Sequence, residues 1–374
     1  FDVALGDDSS KTDMVIVNGD TSGTTNVAVN NFGGTGAQTS EGIRIIEVNG
    51  ASSGSFSLIG DYMIGDRQAV VAGAYAYQLY QGGASTPNDG NWYLRSQLTN
   101  PTTPTAPTSP LYQAGVSTYE AYPQALLGLN GAPTLQQRVG NRFWAGNGAS
   151  KRTSYAASED ASAAIEESGL WGRIEGAHNS IEPRFSTSGG TDYDQNVLKL
   201  QAGIDGLLTE TESGKLIGGF TIHYAHGKTD IKSVYGDGEI ATDGYGLGGT
   251  LTWYGENGFY LDGLGQMTWY TSDLDSVLAH TNLSDDNDGF GYTLSVEGGK
   301  RMAVDPAWSV TPQAQLVYSN VDFDAFTDAF GARVSLNGGE SLRGRLGVTL
   351  VHECAWQNVK GLLYRSHVNV ISYL

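Results

Sequence analysis

The sequence predicts an all-β protein with one helical interruption, and three observations carry that prediction. Glycine (52 residues) and tyrosine (20 residues) are both abundant, a mixture that suits strands and tight turns better than helices. Residues 1–99 hold short apolar runs cut by turn signals, whereas residues from Ser168 onward hold long runs of strict apolar/polar alternation. Between these textures lies Asn100 to Trp144, the one long stretch without strand character.

Length and charge bound the possibilities first. The chain has 374 residues, room for two domains of ordinary size. Its 21 Lys+Arg against 40 Asp+Glu give a net charge of -19. Such a chain has no surplus of cations to displace phosphate counterions, which argues against nucleic acid, and it does not adsorb simply to anionic lipid. The single cysteine, Cys354, excludes an intramolecular disulfide framework and reads as a small strand side chain. No apolar run reaches the ~18 residues that a transmembrane helix needs. The chain opens at Phe1 without Met, basic n-region or apolar h-region, so Phe1 reads as the middle of something longer and any signal peptide is missing.

In residues 1–99 the apolar runs include Met14–Val17, Asn26–Val29, Ile43–Val48 and Ser55–Ile59, several closing on turns such as Asn18-Gly19 and Asn49-Gly50. Strands this short cannot cross a bilayer. They fit the rungs of a β-solenoid, each burying its apolar face on its neighbours, with a generic β-sandwich as the competing arrangement. Ala74–Tyr80 and Trp92–Leu94 are more aromatic and read as a hairpin that closes the stack, since an open sheet edge invites aggregation.

Residues 100–167 form spacer, helix and connector. Asn100–Pro110 is a Pro/Thr spacer, held extended because proline fixes φ and removes a donor. Leu111–Leu129 reads as helix, broken once at Pro123, with Tyr112, Val116, Tyr119, Leu126 and Leu127 among small residues. Thr134 followed by Gln137 has the capping-box form, and Arg138 lies on the short helix that box would start. Ala145–Glu167 is Ser/Ala/Gly-rich and reads as a loose connection.

From 168 to 374 the alternation becomes regular. In Leu198–Asp205 every even position is apolar, and in Tyr245–Trp253 the odd positions are apolar apart from Gly249. Phe290–Glu297 and Gly344–Leu350 repeat the theme. Such dyads, long enough to cross an apolar band of ~25 Å, are the signature of a transmembrane β-barrel. The polar positions are Gly, Thr, Ser and Gln with scattered charges (Arg173, Glu175, Lys199, Asp205, Glu297, Arg343, Arg345). A solvated sandwich face would be rich in Lys and Glu, so this face suits a narrow wet lumen. Trp171, Trp253, Tyr254, Trp269, Tyr270, Trp308 and Tyr318 near strand ends are expected to form interfacial girdles. Short links (Thr211–Gly214, Glu256–Gly258, Asp305–Ala307) alternate with longer polar ones (Ser180–Asp192, Lys228–Thr242, Ser272–Gly289, Asp322–Glu340). About nine spanning strands are expected before Leu374.

These pieces, in this order, resemble the C-terminal part of an autotransporter, the type V secretion proteins of Gram-negative bacteria, nearest to the pertactin/AIDA-like group. The matching residues are the Tyr-rich cap ending on Trp92-Tyr93-Leu94, the Pro spacer, Pro110-Leu111-Tyr112 and Leu135–Gly140. They continue with Leu170–Gly176 as first barrel strand, and His352-Glu353 with Trp356-Gln357-Asn358. The resemblance implies a passenger solenoid end that acts as autochaperone over 1–99, a lumen helix with its connectors over 100–167, and an outer-membrane β-barrel over 168–374. It also implies outer-membrane lipid, barrel assembly machinery and periplasmic chaperones as partners, with a host-surface ligand reached through a passenger further upstream. Such barrels have about twelve strands, so about nine here implies an incomplete one, as from a truncated or frameshifted gene or a gene fragment, because an unclosed sheet leaves backbone groups unpaired in lipid.

The chemistry-bearing motifs weigh lightly. Gly244–Gly249 has the form G-x-G-x-x-G but sits inside an alternating strand with no βαβ context. His223 and His226 lie three apart, on opposite faces of a strand, so they share no metal. Ser284–Gly289 has a calcium-loop look without the distal Glu, and reads as a solvated loop. Asn130-Gly131 is the nearest candidate for tether cleavage, because some autotransporters cut themselves at an Asn in the lumen helix; ending a helix is the plainer role for Asn130. Arg173, Glu175, Arg343 and Arg345 share parity with the small polar positions and are expected to contact the lumen helix. No catalytic constellation, cofactor or metal is expected. The reading is therefore a non-enzymatic translocator that secretes and anchors its own passenger. A solute porin and a soluble glycan-binding β protein are the alternatives.

Overall fold

The computed structural model describes residues 1–98, 109–139, 168–183, 186, 188, 191–305, 308–355 and 363–373. The expected connector Ala145–Glu167, most of the Pro/Thr spacer, Pro306-Ala307 and Trp356-Gln357-Asn358 lie outside the described residues.

Residues 1–59 wind as a solenoid rather than a sandwich. Asp2–Val3 runs parallel to Asn30–Asn31, Val15–Val17 to Ile46–Val48, and Thr24–Ala28 to Ser55–Ile59. With Asp2 opposite Asn30 and Thr24 opposite Ser55, one turn takes roughly 30 residues, within the range of solenoid repeats. Val3, Leu5, Val27, Ile43, Ile45, Ile46 and Leu58 fill the interior. Strands Tyr62–Ile64, Arg67–Ala72, Tyr75–Gln81 and Trp92–Arg95 then continue as an antiparallel sheet. Trp92–Arg95 joins it to Ile43–Val48, with Trp92 opposite both Gln81 and Ile46. The aromatic cap expected from Ala74–Tyr80 and Trp92–Leu94 is this switch from parallel to antiparallel pairing. Hairpins fold back on themselves and so terminate a parallel stack.

Among the described residues nine long strands form the second unit, numbered β1 to β9. They are β1 (Ser168–Ile181), β2 (Asp192–Thr211), β3 (Gly214–Lys232), β4 (Gly238–Gly255), β5 (Phe259–Ser276), β6 (Thr281–Lys300), β7 (Trp308–Phe323), β8 (Glu340–Ala355) and β9 (Leu363–Tyr373). Each pairs antiparallel with the next in an up-and-down meander, and β1 and β9 are not paired to each other among the described residues. The count matches the expected nine. The loop lengths do not: Lys228–Thr242 and Ser272–Gly289 are largely strand, with turns confined to 233–237 and 277–280. Their Asp, Thr and Ser content marks water-exposed strand arms, and polarity alone does not distinguish an arm from a loop. The longer links are 182–191 and 324–339.

Strand parity sorts the two faces. On β2 the even residues Leu198, Leu200, Ile204 and Leu208 point outward, 44%, 40%, 59% and 62% exposed. From Leu198 to Leu208 the strand makes ten steps of about 3.4 Å, and at a tilt near 45° covers about 24 Å, the height of an outer-membrane apolar band. Phe220, Ile222, Leu247, Leu251, Leu261, Leu294, Val296 and Leu316 continue that band around the sheet. No helix is long and apolar enough to cross a membrane among the described residues.

The expected aromatic girdles are half right. Tyr224–Tyr245, Trp269–Phe290 and Tyr292–Tyr318 contact as an outward row at 5.1, 5.7 and 6.0 Å, and Trp253–Phe259 at 6.1 Å marks the opposite rim, where Trp308 also lies exposed. Trp171, Tyr254 and Tyr270 instead face inward and are buried. The pleat requires this: in Trp253-Tyr254 and Trp269-Tyr270 adjacent side chains must take opposite faces.

Candidate functional site

The inward face wraps helix α1 (Val116–Leu129) and the short helix α2 (Leu135–Val139). Ser117, Thr118, Ala121, Tyr122, Ala125, Leu126 and Leu129 put one broad face of α1 against the sheet. On the other side Val116, Tyr119, Glu120 and Pro123 are half-buried and Gln124 is exposed, with Leu127 buried among them. This is expected of a helix cupped by a sheet whose two edge strands are not paired to each other among the described residues. Helix α1 runs unbroken through Pro123, contrary to the expected break. Packing of Tyr122, Ala125 and Leu126 against the sheet holds the helix where propensity alone would interrupt it. The break falls instead at 130–134, where Asn130 caps α1. Tyr112 also differs from expectation: it precedes α1 and lies between Tyr75 and Tyr235, at 5.5 and 5.3 Å. Val116 is the first residue of α1 and is half-buried.

The outer part of the lumen is dry rather than wet. Tyr122, Leu126 and Leu129 pack there with Tyr193, Val197, Ile231, Ile240, Tyr270, Leu274, Val321 and Phe323. The polar inward positions that imply water lie lower on the strands. Two glycines set the helix-to-wall distance. A Cβ on Gly238 would fall 2.0 Å from Thr118 Oγ1, and one on Gly128 would fall 2.1 Å from Gln195 Oε1, so a side chain at either position would have to displace Thr118 or Gln195.

Below α1, wall side chains bind the link between the helices carbonyl by carbonyl. Thr293 Oγ1 donates to the Asn130 carbonyl at 2.5 Å, Lys199 Nζ to Gly131 O at 2.8 Å and Gln315 Nε2 to Pro133 O at 3.1 Å. Gln195 Nε2 donates to Ala125 O at 2.8 Å. The Asn130 side chain is fully engaged: Nδ2 donates to Tyr292 O and Asn320 O at 3.1 Å each, and Oδ1 accepts from the Tyr270 hydroxyl at 3.1 Å. These bonds satisfy the backbone groups that an interrupted helix leaves unpaired.

Helix α2 starts on the expected capping box. Thr134 Oγ1 accepts from Gln137 N at 2.9 Å, and Gln137 Oε1 accepts from Thr134 N at 3.0 Å. Glu297 anchors it further: Oε2 accepts from Leu135 N at 3.2 Å and from Arg345 Nη2 at 3.3 Å, while Oε1 accepts from the Tyr260 hydroxyl at 2.7 Å. At its far end Arg138 donates to Asp262 Oδ1 at 2.5 Å, with side-chain exposures of 1% and 4%. Thr252 Oγ1 also donates to Asp262, at 2.5 Å.

The four charges expected at the helix are distributed unevenly. Arg345 reaches α2 through Glu297. Arg173 pairs with Glu175 and donates to Gln201 at 3.4 Å, both on the wall. Arg343 is exposed and makes no hydrogen bond or ion pair to another described residue. All four line one cavity of about 640 Å³ with Lys199 and with Leu127, Gly128 and Gln137 of the helical segment. Asp262, Tyr260, Asn130 as an anchor, and Gln195 were not singled out from sequence for these roles. The available signal was parity, which puts Tyr260, Asp262 and Gln266 of β5 on one inward row.

The remaining motifs fall on the long strands. Gly244–Gly249 lies within β4, where Gly246 leaves room for the His223 ring. His223 is buried and His226 faces out, 2.9 Å from Asp243. Ser284–Gly289 is part of β6 rather than a loop, and Asp273, Asp285 and Asp286 meet on the exposed outer arms of β5 and β6. Hydrogen bonding with Asp273 and the charge of Asp286 raise the Asp285 carboxyl above its ordinary value.

Comparison with known proteins places this arrangement. Residues 170–371 match the autotransporter beta-domain family, and residues 1–79 match the autochaperone domain type 1. The chain is 49% identical to the adhesin BmaC autotransporter of Brucella suis biovar 1 (strain 1330), over 99% of this chain and 11% of that protein. It is 30% identical to the uncharacterized protein YdeU of Escherichia coli (strain K12), over 93% of this chain and 74% of that one. With the autotransporter adhesin AIDA-I of Escherichia coli it shares 27% identity, over 92% of this chain and 25% of that protein. The chain thus spans about a tenth of the length of the first of these relatives.

Proposed function

We propose a function from the premise that this chain belongs to the autotransporter family: it anchors in the bacterial outer membrane, moves its own passenger across, and holds the end of that passenger at the surface. The units are residues 1–99 as the passenger end and folding nucleus, 100–167 as tether and lumen helix, and 168–374 as the membrane sheet. The observation that carries this reading is the helix bound inside a sheet whose outer face is an apolar band. Helix α1 is continuous in sequence with the solenoid end above, so the chain itself runs through the lumen. A solenoid folds rung by rung from one end, which lets folding outside bias export without a nucleotide energy source. Barrel assembly machinery and periplasmic chaperones are the partners this route requires, and a host-surface ligand would bind further along the passenger. The role is that of a carrier and display device, with no chemical step assigned.

In intact cells producing the full chain, protease should reach residues 1–98 from outside, and the extracted 168–374 portion should shift in gel mobility on heating. A passenger end protected in intact cells, or no mobility shift, would overturn the reading.

The cationic wall gives a second expected result. In Arg343→Glu, the new carboxylate competes with the Gly131 carbonyl for the Lys199 ammonium across the shared cavity. Charged hydrogen bonds of this kind are worth about 1.5–3 kcal/mol, so the open fraction in planar bilayers should rise roughly tenfold or more. Unchanged conductance would remove Arg343 from the set of charges that act on the helix.

A further inference from the structure

We propose that the folded passenger end is itself a latch: it seats on three outer turns of the sheet and closes the mouth above the lumen helix. This rests on the translocator reading and adds a second closure, distinct from the helix, that forms only after the passenger end has folded.

Three parts of the outer rim converge on passenger residues. Tyr62 and Val71, in adjacent cap strands, form one buried cluster with Ala114, against Leu278 and Ala279 of the 277–280 turn and Phe330 of the 324–339 loop. The Tyr62 and Phe330 rings lie 5.4 Å apart. From the 233–237 turn, Tyr235 meets Tyr112, whose other side is covered by Tyr75 of the passenger.

Polar contacts link the same parts. Gln113 N donates to Ala74 O at 2.9 Å, so its backbone belongs to the passenger sheet. Its side chain crosses to the rim, where Gln113 Nε2 donates to Asp328 Oδ2 at 2.8 Å. The Tyr119 hydroxyl, from α1, donates to the same oxygen at 2.7 Å. The other oxygen, Oδ1, accepts from Ala332 N at 2.7 Å and Phe330 N at 3.0 Å, which fixes the loop around it. One buried carboxylate thus ties passenger, helix and rim together. Ala114 N donates to the Tyr62 hydroxyl at 2.9 Å beside it.

The order of events follows from which residues take part. Tyr62, Val71 and Ala74 come into position only when the hairpins spanning residues 62–81 are paired. An extended chain passing through the lumen presents no such surface, so the rim stays open during export. When the cap folds, the apolar cluster forms and Asp328 gains its donors from Gln113 and Tyr119 together. Folding outside is then read directly at the pore.

The test uses the full chain inserted in lipid vesicles, selected for heat-shifted gel mobility so that the translocator reading already holds for every sample. It measures the rate at which external protease cuts between Ser109 and Gly115. Asp328→Ala and Tyr62→Ala should each raise that rate about tenfold, the scale of one charged hydrogen bond or one lost buried contact. Asp328→Asn should recover only part of the protection, because its single carbonyl oxygen can accept either from Gln113 and Tyr119 or from the loop N–H groups of Phe330 and Ala332, not from both. Gly73→Val should raise the rate in the otherwise unaltered chain, because Gly73 has φ +53 and a Cβ there would meet Thr35 O at 2.2 Å. Cutting at the original rate in Asp328→Ala and Tyr62→Ala, with mobility still heat-shifted, would overturn the latch while leaving the translocator reading intact.

Discussion

Asp262→Leu should release the lower end of the lumen helix. The carboxylate of Asp262 is the ion-pair partner of Arg138, and the side chains are 4% and 1% exposed. Removing one member of a buried pair leaves the other charge without compensation, at about 3–5 kcal/mol. The guanidinium then regains water only if α2 leaves the wall, so the expected outcome is an unplugged lumen rather than an unfolded sheet. Heat-shifted gel mobility should persist, while conductance through the reconstituted full chain rises. Arg138→Leu combined with Asp262→Leu should bring conductance most of the way back, because a matched apolar pair carries no stranded charge. An Asp262→Leu chain as closed as the parent would mean that α2 is held by its capping box and Glu297 alone.

Several features were legible because strand parity is local. The outward row Leu198, Leu200, Ile204 and the count of nine strands follow from a period of two within each strand. The capping box of Thr134 and Gln137 lies within four residues and was readable for the same reason. Other features depend on what lies across the lumen. Pro123 signals a break to any local reading, yet α1 passes through it because Tyr122 and Leu126 on either side of it are buried against the sheet. The polar segments Lys228–Thr242 and Ser272–Gly289 look like loops until their partners are known, and then pair as arms of β3–β4 and β5–β6. Arg138 and Asp262 are 124 residues apart, a pairing that no spacing rule reaches. Parity does place Asp262 inward on β5, and the one inward acid of that strand, set against the one basic residue of α2, is the signal that would have identified it. Arg173 and Glu175 show the opposite difficulty. Their shared inward parity pointed to the helix, but two same-face residues on one strand are also neighbours, and they pair with each other.

Ile204→Arg should destabilise the inserted sheet far more than Asn196→Arg, although both residues lie on β2 and face outward. Ile204 is flanked by Leu170 on β1 and Phe220 on β3, in the middle of the apolar band. Asn196 lies eight residues nearer the outer rim, where its side chain meets His178 at 2.9 Å. An arginine on the lipid face costs about 2–4 kcal/mol near the bilayer midplane and about 0–1 kcal/mol near the interface. Eight residues along a tilted strand amount to roughly 19 Å of depth, enough to separate these cases. Urea titration of the full chain in lipid vesicles, followed by tryptophan emission, should therefore show a large fall in the midpoint for Ile204→Arg and little change for Asn196→Arg. The comparison holds strand, face and substituent constant, so depth is the variable that remains. If the two variants lose equal stability, the outward face is not graded from lipid to water. The same result would favour a water-soluble sheet, in which Leu198, Leu200, Ile204 and Leu208 would form an exposed apolar stripe with no membrane to cover it.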